Sequence, residues 1–338
     1  MSQVIDFTDC RRIFRVLGGS ERKFEVEYDG KLYMLKFSNK LAKRSDMSTG
    51  YANNIISEYI CSHISASMGL PTHETVLGGY GDRLVVGCLD FRQADEQNLE
   101  FSELVRACYD SDEVRRVIRL DQIYSTLENT EGISEDVKAA SVERYWDTFV
   151  VDALVGNFDR HTGNWGYIIK DDELSLAPIY DFGSSLLPQL SDEGIAEIEN
   201  SELKMYERCL VFPSAALFVT SERSGKVGYY DMMSSNLDQE CTYAVKRMAP
   251  RINMDAIERI IDETPLITDI RKDFYKKYIA LRKQLIIDRA YSCCVTEKFD
   301  SMALERIKEG RQYSIADLKN DLENNREYFK QASKPDVI

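Results

Sequence analysis

The chain has 338 residues with Lys+Arg 43 against Asp+Glu 57, a formal net charge of −14 at pH 7, and the resulting field argues against general nucleic-acid binding because a phosphate backbone is repelled. Its 43% hydrophobic and 30% charged residues are those of a soluble globular protein long enough for two domains or one bilobal unit, and no apolar run approaches the roughly 18 residues of a membrane span. The N-terminus MSQVIDFTDCRRIF is not a secretory signal, and eight scattered cysteines without a C-x-x-C, beside three histidines, make neither a zinc site nor a disulfide framework, so reduced thiols in the cytoplasm are expected.

Residues 12–37 alternate like strands. Asp29-Gly30 is a hairpin signal, and Gly18-Gly19-Ser20 forms the turn before it, giving three antiparallel strands. A Gly-Gly-Ser turn lets backbone N–H groups approach phosphate oxygens with no side chain in the way, although an ordinary hairpin has the same composition. Lys36 shares a strand face with Leu32 and Met34. An ammonium on such a face points to the interior or a cleft and needs an anion there, unless it snorkels at a sheet edge.

Residues 53–68 carry apolar side chains at 55, 56, 59, 60, 64 and 68 and are stopped by Gly69 and Pro71, which predicts a helix. Glu58 is its single formal charge, on a side made of Cys61, Ser62, Ser65 and Ala66. A solvated face normally carries several charges, so this carboxylate is expected to pack toward a cation, with Lys36 the candidate. Residues 75–77 and 84–89 read as strands around a turn at Gly78-Gly79-Tyr80-Gly81. The pattern turns polar and helical at 92–100, which places a lobe boundary at 91/92 and makes the backbone of Gly87, Cys88 and Leu89 a hinge for an adenine edge.

Residues 141–155 predict a buried helix feeding the segment GNFDRHTGNWGYIIKDDELSLAPIYDFG at 156–183. Here Asp159 and Asn164 stand in the form D-x-x-x-x-N, residues 167–169 and 174–179 read as two short strands around a polar turn, and Asp181-Phe182-Gly183 follows. Such a hairpin returns Asp181 to the side of Asn164. Mg²⁺ takes one or two oxygens from a protein and the rest from phosphates and water, a clamp that Asn164 and Asp181 supply. Asp159 is then left to orient an attacking hydroxyl and accept its proton, and the combined order is that of a phosphotransfer site. Solvated acidic residues at the ends of a hairpin are the plainer alternative. Residues 185–240 look irregular and suited to a substrate-facing loop, and 254–261, 271–291 and 314–331 predict amphipathic helices.

With these residues laid out, LVGNFDRHTGNW, LAPIYDFG and SEYICSHISASMGLP resemble the HipA-like serine/threonine protein kinases, in the short branch that holds the kinase core alone. The resemblance covers about residues 12–291. It implies an α+β, bilobal protein-kinase-like fold, with a small antiparallel β-sheet N-lobe at 1–91 and a larger, mainly helical C-lobe at 92–338 holding the catalytic loop 156–165 and the segment 181–183. It also implies transfer of the γ-phosphate of Mg-ATP to a protein Ser or Thr, with autophosphorylation. The implied roles are Asp159 as base, Asn164 and Asp181 as Mg²⁺ ligands, Lys36 as phosphate contact paired with Glu58, and Gly18, Gly19, Ser20, Gly87, Cys88 and Leu89 around ATP. His161, two residues after Asp159, orients the loop, neutralises phosphoryl charge or is a structural histidine.

Toxin-type relatives have a further domain before the core and a serine before the glycine turn. Here about a dozen residues precede the first strand and Val16 stands at the serine's place, which leaves an antitoxin-like partner open but disfavoured, while direct nucleic-acid and membrane partners are not expected. A kinase of a small molecule or lipid headgroup, and a pseudokinase that binds nucleotide without turnover, are the alternatives.

Overall fold

A computed structural model describes residues 4–14, 23–38, 53–109, 118–219, 225–324 and 329. Gly18, Gly19, Ser20 and Val16 lie outside the described residues. The chain divides into two compact units, Met1–Asp95 with Pro178–Asn200 and Asn253–Lys276, and Glu96–Ala177 with Ser201–Ile252 and Lys277–Ile338. Whereas the expected boundary is a single cut at 91/92, the first unit takes in the 181–183 segment. Backbone bonds explain this: Ile179 N–H donates to Pro71 O at 2.8 Å and Asn53 N–H to Pro188 O at 2.7 Å.

The first unit is built on a six-stranded sheet of β1 (Ile5–Asp6), β2 (Arg11–Ile13), β3 (Lys23–Tyr28), β4 (Lys31–Phe37), β5 (Thr75–Tyr80) and β6 (Arg83–Leu89), in the order β1-β5-β6-β4-β3-β2. All neighbours are antiparallel except β1 and β5, so the sheet is mixed where the sequence pattern suggested antiparallel pairing throughout. Asp29 and Gly30 both have positive φ, 50° and 71°, as a two-residue hairpin turn requires. Gly78 and Gly79 belong to β5 rather than to a turn. A Cβ at Gly78 would lie 2.5 Å from Ile5 O and 2.6 Å from the Phe7 ring, so the absent side chain is what admits β1 to the sheet. Phe7, Val26, Tyr33, Leu35, Phe37 and Val85 form the core of one face. Helix α1 (Asn54–Ser67) is buried on most of its circumference, Ser57, Ser62 and Ser65 included, and ends where Gly69 takes φ 81°.

The second unit begins with β7 (Gln97–Glu100), where a polar helix at 92–100 was expected; the helix, α2 (Phe101–Cys108), starts one residue later. After β8 (Ile118–Arg119) and α3 (Leu120–Asn129), the long helix α4 (Glu135–Val155) starts on a Ser134 hydroxyl that accepts the Val137 N–H, and stops at Gly156 with φ 68°. Strands β9 (Gly166–Lys170) and β10 (Glu173–Leu176) form a hairpin whose two turn residues, Asp171 and Asp172, have φ 51° and 63°, and β7 completes a three-stranded antiparallel sheet. A Cβ at Gly166 would meet Leu99 O at 2.1 Å, which fixes glycine where β9 passes β7.

The stretch at 185–240 is more ordered than its composition suggests, with helices Asp192–Glu199, Glu202–Leu210 and Tyr229–Ser234. Ser191 and Ser201 cap the first two by accepting backbone N–H groups, a signal hidden among many polar residues. Helices Gln239–Met248, Met254–Glu263, Asp269–Arg282, Arg289–Thr296, Ser301–Lys308 and Ile315–Asn324 complete the described chain. None of its helices is long and apolar enough to cross a membrane.

Candidate active site

In the first unit the structure brings together Lys36, Glu58 and Asp181. Lys36 lies opposite Val86 on β6 and Lys23 on β3, on the strand face turned away from the Tyr33, Leu35 and Phe37 core. Its side chain is 7% exposed, and its ammonium lies 3.2 Å from Glu58 Oε2 and 3.0 Å from Asp181 Oδ1. The anion that the sequence demanded for this lysine is therefore two carboxylates.

Glu58 is 1% exposed. Its Oε1 accepts the Asp181 N–H at 3.1 Å and its Oε2 the Phe182 N–H at 3.0 Å. Burial pushes this carboxyl up, but the Lys36 ammonium and the hydrogen bond from His73 oppose that and hold it well below the usual carboxylate range. Asp181 has φ 67°, a left-handed conformation in which aspartate is tolerated better than most residues. Its side chain remains 36% exposed while Lys36 and Glu58 are enclosed. That difference suits a carboxylate with one oxygen on the lysine and a face left for a hard cation.

In the second unit the structure brings together Asp159, His161 and Asn164. Helix α4 delivers the chain into this loop through Gly156, where a Cβ would come 2.3 Å from Tyr278 Oη and 2.9 Å from Pro213. Asn157, fully buried, donates to Asp152 Oδ1 at 3.0 Å and accepts the Asp159 N–H at 3.1 Å. Arg160 donates Nε to Asp152 Oδ2 at 2.8 Å, Nη2 to Asp152 Oδ1 at 3.0 Å and Nη1 to Asn164 O at 3.0 Å. Asn164 Nδ2 donates to Asp159 O at 2.6 Å, which turns its amide oxygen away from that carbonyl. His161 Nδ1 accepts the Gly163 N–H at 3.1 Å, so this ring closes the loop's short helical turn. Asp159 itself is exposed, between buried Asn157 and buried Arg160. An exposed carboxylate on a loop pinned from beneath can hold a fixed position and still meet an acceptor from outside.

The expected hinge residues lie within a strand, β6. β6 is paired on both sides, Cys88 facing Met34 and Thr75, and Gly87 facing Leu35 and Val76. Leu89 N–H is donated to Glu74 O at 2.9 Å. Ladder pairing thus occupies the backbone of Gly87 and Cys88 and the Leu89 N–H, and Cys88 turns its thiol toward Glu58 and His73. Beyond β6 the Asp90 N–H bonds Leu32 O at 2.8 Å and the Arg92 N–H bonds Asp90 Oδ1 at 3.0 Å.

Sequence reasoning passed over Asp152, Asn157, Arg160 and His73. Asp152 and Arg160 were within reach, since a carboxylate on an apolar helix seven residues before a conspicuous Asp-Arg pair needs a cation. His73 carries no local signal.

The profile of the HipA-like C-terminal domain family matches residues 16–263. Serine/threonine-protein kinase CtkA of Helicobacter pylori is 33% identical over 328 residues, 96% of this chain and 97% of that protein. The crystal structure of a Helicobacter pylori proinflammatory kinase CtkA matches with TM-score 0.80 and 33% identity, covering 88% of this chain and 100% of the other. Shewanella oneidensis HipA, solved with HipB and operator DNA, matches with TM-score 0.51 and 16% identity over 86% of this chain and 70% of that one, a likeness of fold alone.

Proposed function

The chain belongs to the HipA-like C-terminal domain family and is a protein serine/threonine kinase, and from that premise we propose that it transfers the γ-phosphate of Mg-ATP to a Ser or Thr hydroxyl, its own chain included, in the cytoplasm. The observation that carries this reading is the enclosed Lys36 ammonium between Glu58 and the half-exposed Asp181. Bound Mg-ATP supplies the phosphoryl group and the cation that spreads its charge.

The chain's own residues do the rest. Lys36 presents a positive charge, held in place by Glu58, to phosphate oxygens. Asp181 and Asn164 offer one carboxylate and one amide oxygen as metal ligands. Asp159 orients the acceptor hydroxyl and takes its proton, while Asp152, Arg160 and Asn157 keep that loop from moving. His161 shapes the loop turn. Gly18, Gly19 and Ser20, which lie outside the described residues, are proposed to offer backbone N–H groups to the phosphates, and the adenine edge is met at the end of β6, from Leu89 onward, rather than by Gly87 and Cys88. The net charge of −14 supports a protein acceptor over nucleic acid, and no antitoxin is part of this reading.

Incubation with γ-labelled ATP and Mg²⁺, alone and with a mixture of acceptor proteins, tests it. The wild type labels itself or a protein, whereas Asp159→Asn loses about 100-fold or more in turnover and still binds ATP, because the lost interaction acts in the transition state. Label transferred only to a small molecule or lipid headgroup, or ATP binding with no transfer at all, overturns it.

A further inference from the structure

His73 has no role in the chemistry above, yet it stands at a junction of the first unit. It is 5% exposed and immediately precedes Glu74 and β5. Its N–H donates to Ile179 O at 3.0 Å, and Ile179 donates back to Pro71 O at 2.8 Å, so residues 71–73 run beside the segment that leads into Asp181. Its Nε2 lies 3.1 Å from Glu58 Oε1 and 3.0 Å from Ser62 Oγ, two groups one turn apart on α1.

Glu58 takes the N–H groups of Asp181 and Phe182 and the Lys36 ammonium on its two oxygens, so it stands as a carboxylate that only accepts. The His73 Nε2 therefore carries hydrogen and donates it. Each Glu58 oxygen then receives two bonds: Oε1 from His73 Nε2 and the Asp181 N–H, Oε2 from the Lys36 ammonium and the Phe182 N–H. Cys88 Sγ joins Glu58 and His73 in a group whose ligand atoms lie within 4.8 Å of one another. A carboxylate already bonded four times offers a metal little, so the group is a hydrogen-bond hub and not a cation site.

The torsion that sets a glutamate's carboxylate plane is broad and has no strong rotamer preference. Hydrogen bonds must set it here. The geometry points to His73 as a positioning residue of the phosphotransfer site: by holding Glu58 Oε1 it fixes the carboxylate plane, so that Oε2 meets Lys36 and both oxygens seat the backbone of Asp181 and Phe182. This inference rests on the kinase reading above. It links the strand entrance at 71–73, helix α1 and the 181–183 segment through one imidazole.

The test is steady-state phosphotransfer by the full chain with His73→Leu, His73→Gln and His73→Asn, alone and in a Glu58→Gln background. His73→Leu and His73→Asn lower kcat/KM for ATP by about 10-fold or more, mostly through KM, because a donor to the carboxylate is lost. His73→Gln, whose amide reaches as far as the ring nitrogen, recovers activity to within a few-fold of wild type. In Glu58→Gln the His73→Leu change adds less than about twofold, since its target is already altered. If His73→Leu fails to fold by thermal melt, the Gln and Asn pair decides alone: equal activity of the two overturns the inference. Full multiplication of the His73 and Glu58 losses overturns it as well. No transfer by the wild type overturns the kinase reading and this inference with it, whereas an active wild type with an equally active His73→Leu overturns the inference only.

Discussion

Glu58 accepts the backbone N–H of Asp181 at 3.1 Å. A carboxylate on α1 thus holds the backbone of the residue whose side chain shares Lys36 with it, the ammonium lying 3.2 Å from Glu58 Oε2 and 3.0 Å from Asp181 Oδ1. The three groups form a closed triangle in which a change at one corner is felt at the other two.

Lys36 and Glu58 are therefore expected to be energetically coupled. Lys36→Met nearly abolishes ATP use, because the phosphate contact itself is gone. Glu58→Gln leaves the lysine and the Asp181 backbone loosely held and lowers kcat/KM for ATP about 10- to 100-fold, roughly 1.4 to 2.7 kcal/mol. Kinetics of both single variants and the double variant check the coupling. Losses that simply multiply mean that the residues act independently.

Removing the charge of Asp181 separates metal from nucleotide. Asp181→Asn keeps a residue that tolerates φ 67°, so its effect is electrostatic and not conformational. ATP affinity in Mg²⁺ falls by about 10-fold or more, ~1.4 kcal/mol, while affinity in EDTA is unchanged or slightly higher, since Lys36 then has one carboxylate fewer beside it. Asn164→Ala is milder, as an amide contributes only a dipole. Titration calorimetry with and without Mg²⁺ reads both, and an unchanged metal enhancement in Asp181→Asn removes it from the ligand set.

Glu58 also gives stability a pH signature. Burial raises its pKa, yet Lys36 and His73 together hold it below the usual carboxylate range. A folded-state pKa lower than the unfolded one contributes stability that is complete above the unfolded value and is lost as pH falls through the folded one. The Tm difference between wild type and Glu58→Gln should hold steady from about pH 6 to 8 and shrink in acid. Thermal melts from pH 8 down into the acid range check it, and a difference that grows in acid contradicts the assignment.

Much of this site was legible because its chemistry lies in short, fixed spacings. Asp159, Asn164 and Asp181 are singled out as candidates by their order, and the Lys36 and Glu58 pair, which the structure shows at 3.2 Å, was readable as two charges on otherwise apolar or small-residue faces. The double pairing of the expected hinge was not legible, because a strand's sequence does not say whether one or both edges are paired. β6 is paired with β4 and β5 at once, which no alternation pattern in residues 83–89 reveals. The two-residue β1 was missed because so short a strand has no periodicity, and its seat on β5 depends on the missing Cβ of Gly78. His73 was invisible for the same reason as the hinge: its meaning comes from Ile179 and Glu58, both distant in the chain.

The anchoring of the Asp159 loop is open to test at Asp152. This carboxylate is 1% exposed and accepts two bonds from Arg160, at 2.8 and 3.0 Å, and one from Asn157 at 3.0 Å. Arg160 is 7% exposed and uses its remaining arm on Asn164 O at 3.0 Å. Asp152→Ala leaves a guanidinium enclosed without its counter-charge, a loss of about 3–5 kcal/mol in comparable buried pairs. It also leaves Asn157, whose other face holds the Asp159 N–H, without its acceptor. Stability and turnover should both fall. Replacing the whole pair, Asp152→Leu with Arg160→Met, removes the uncompensated charge and restores much of the stability, because packed apolar groups substitute well for a buried ion pair. Turnover stays low in that double variant, since neither Asn157 nor the Asn164 carbonyl recovers its anchor. Urea unfolding and phosphotransfer measured on the same preparations separate the two effects. A double variant as unstable as Asp152→Ala means that the pair stabilises by more than charge compensation, and one with full turnover means that the loop does not depend on these bonds.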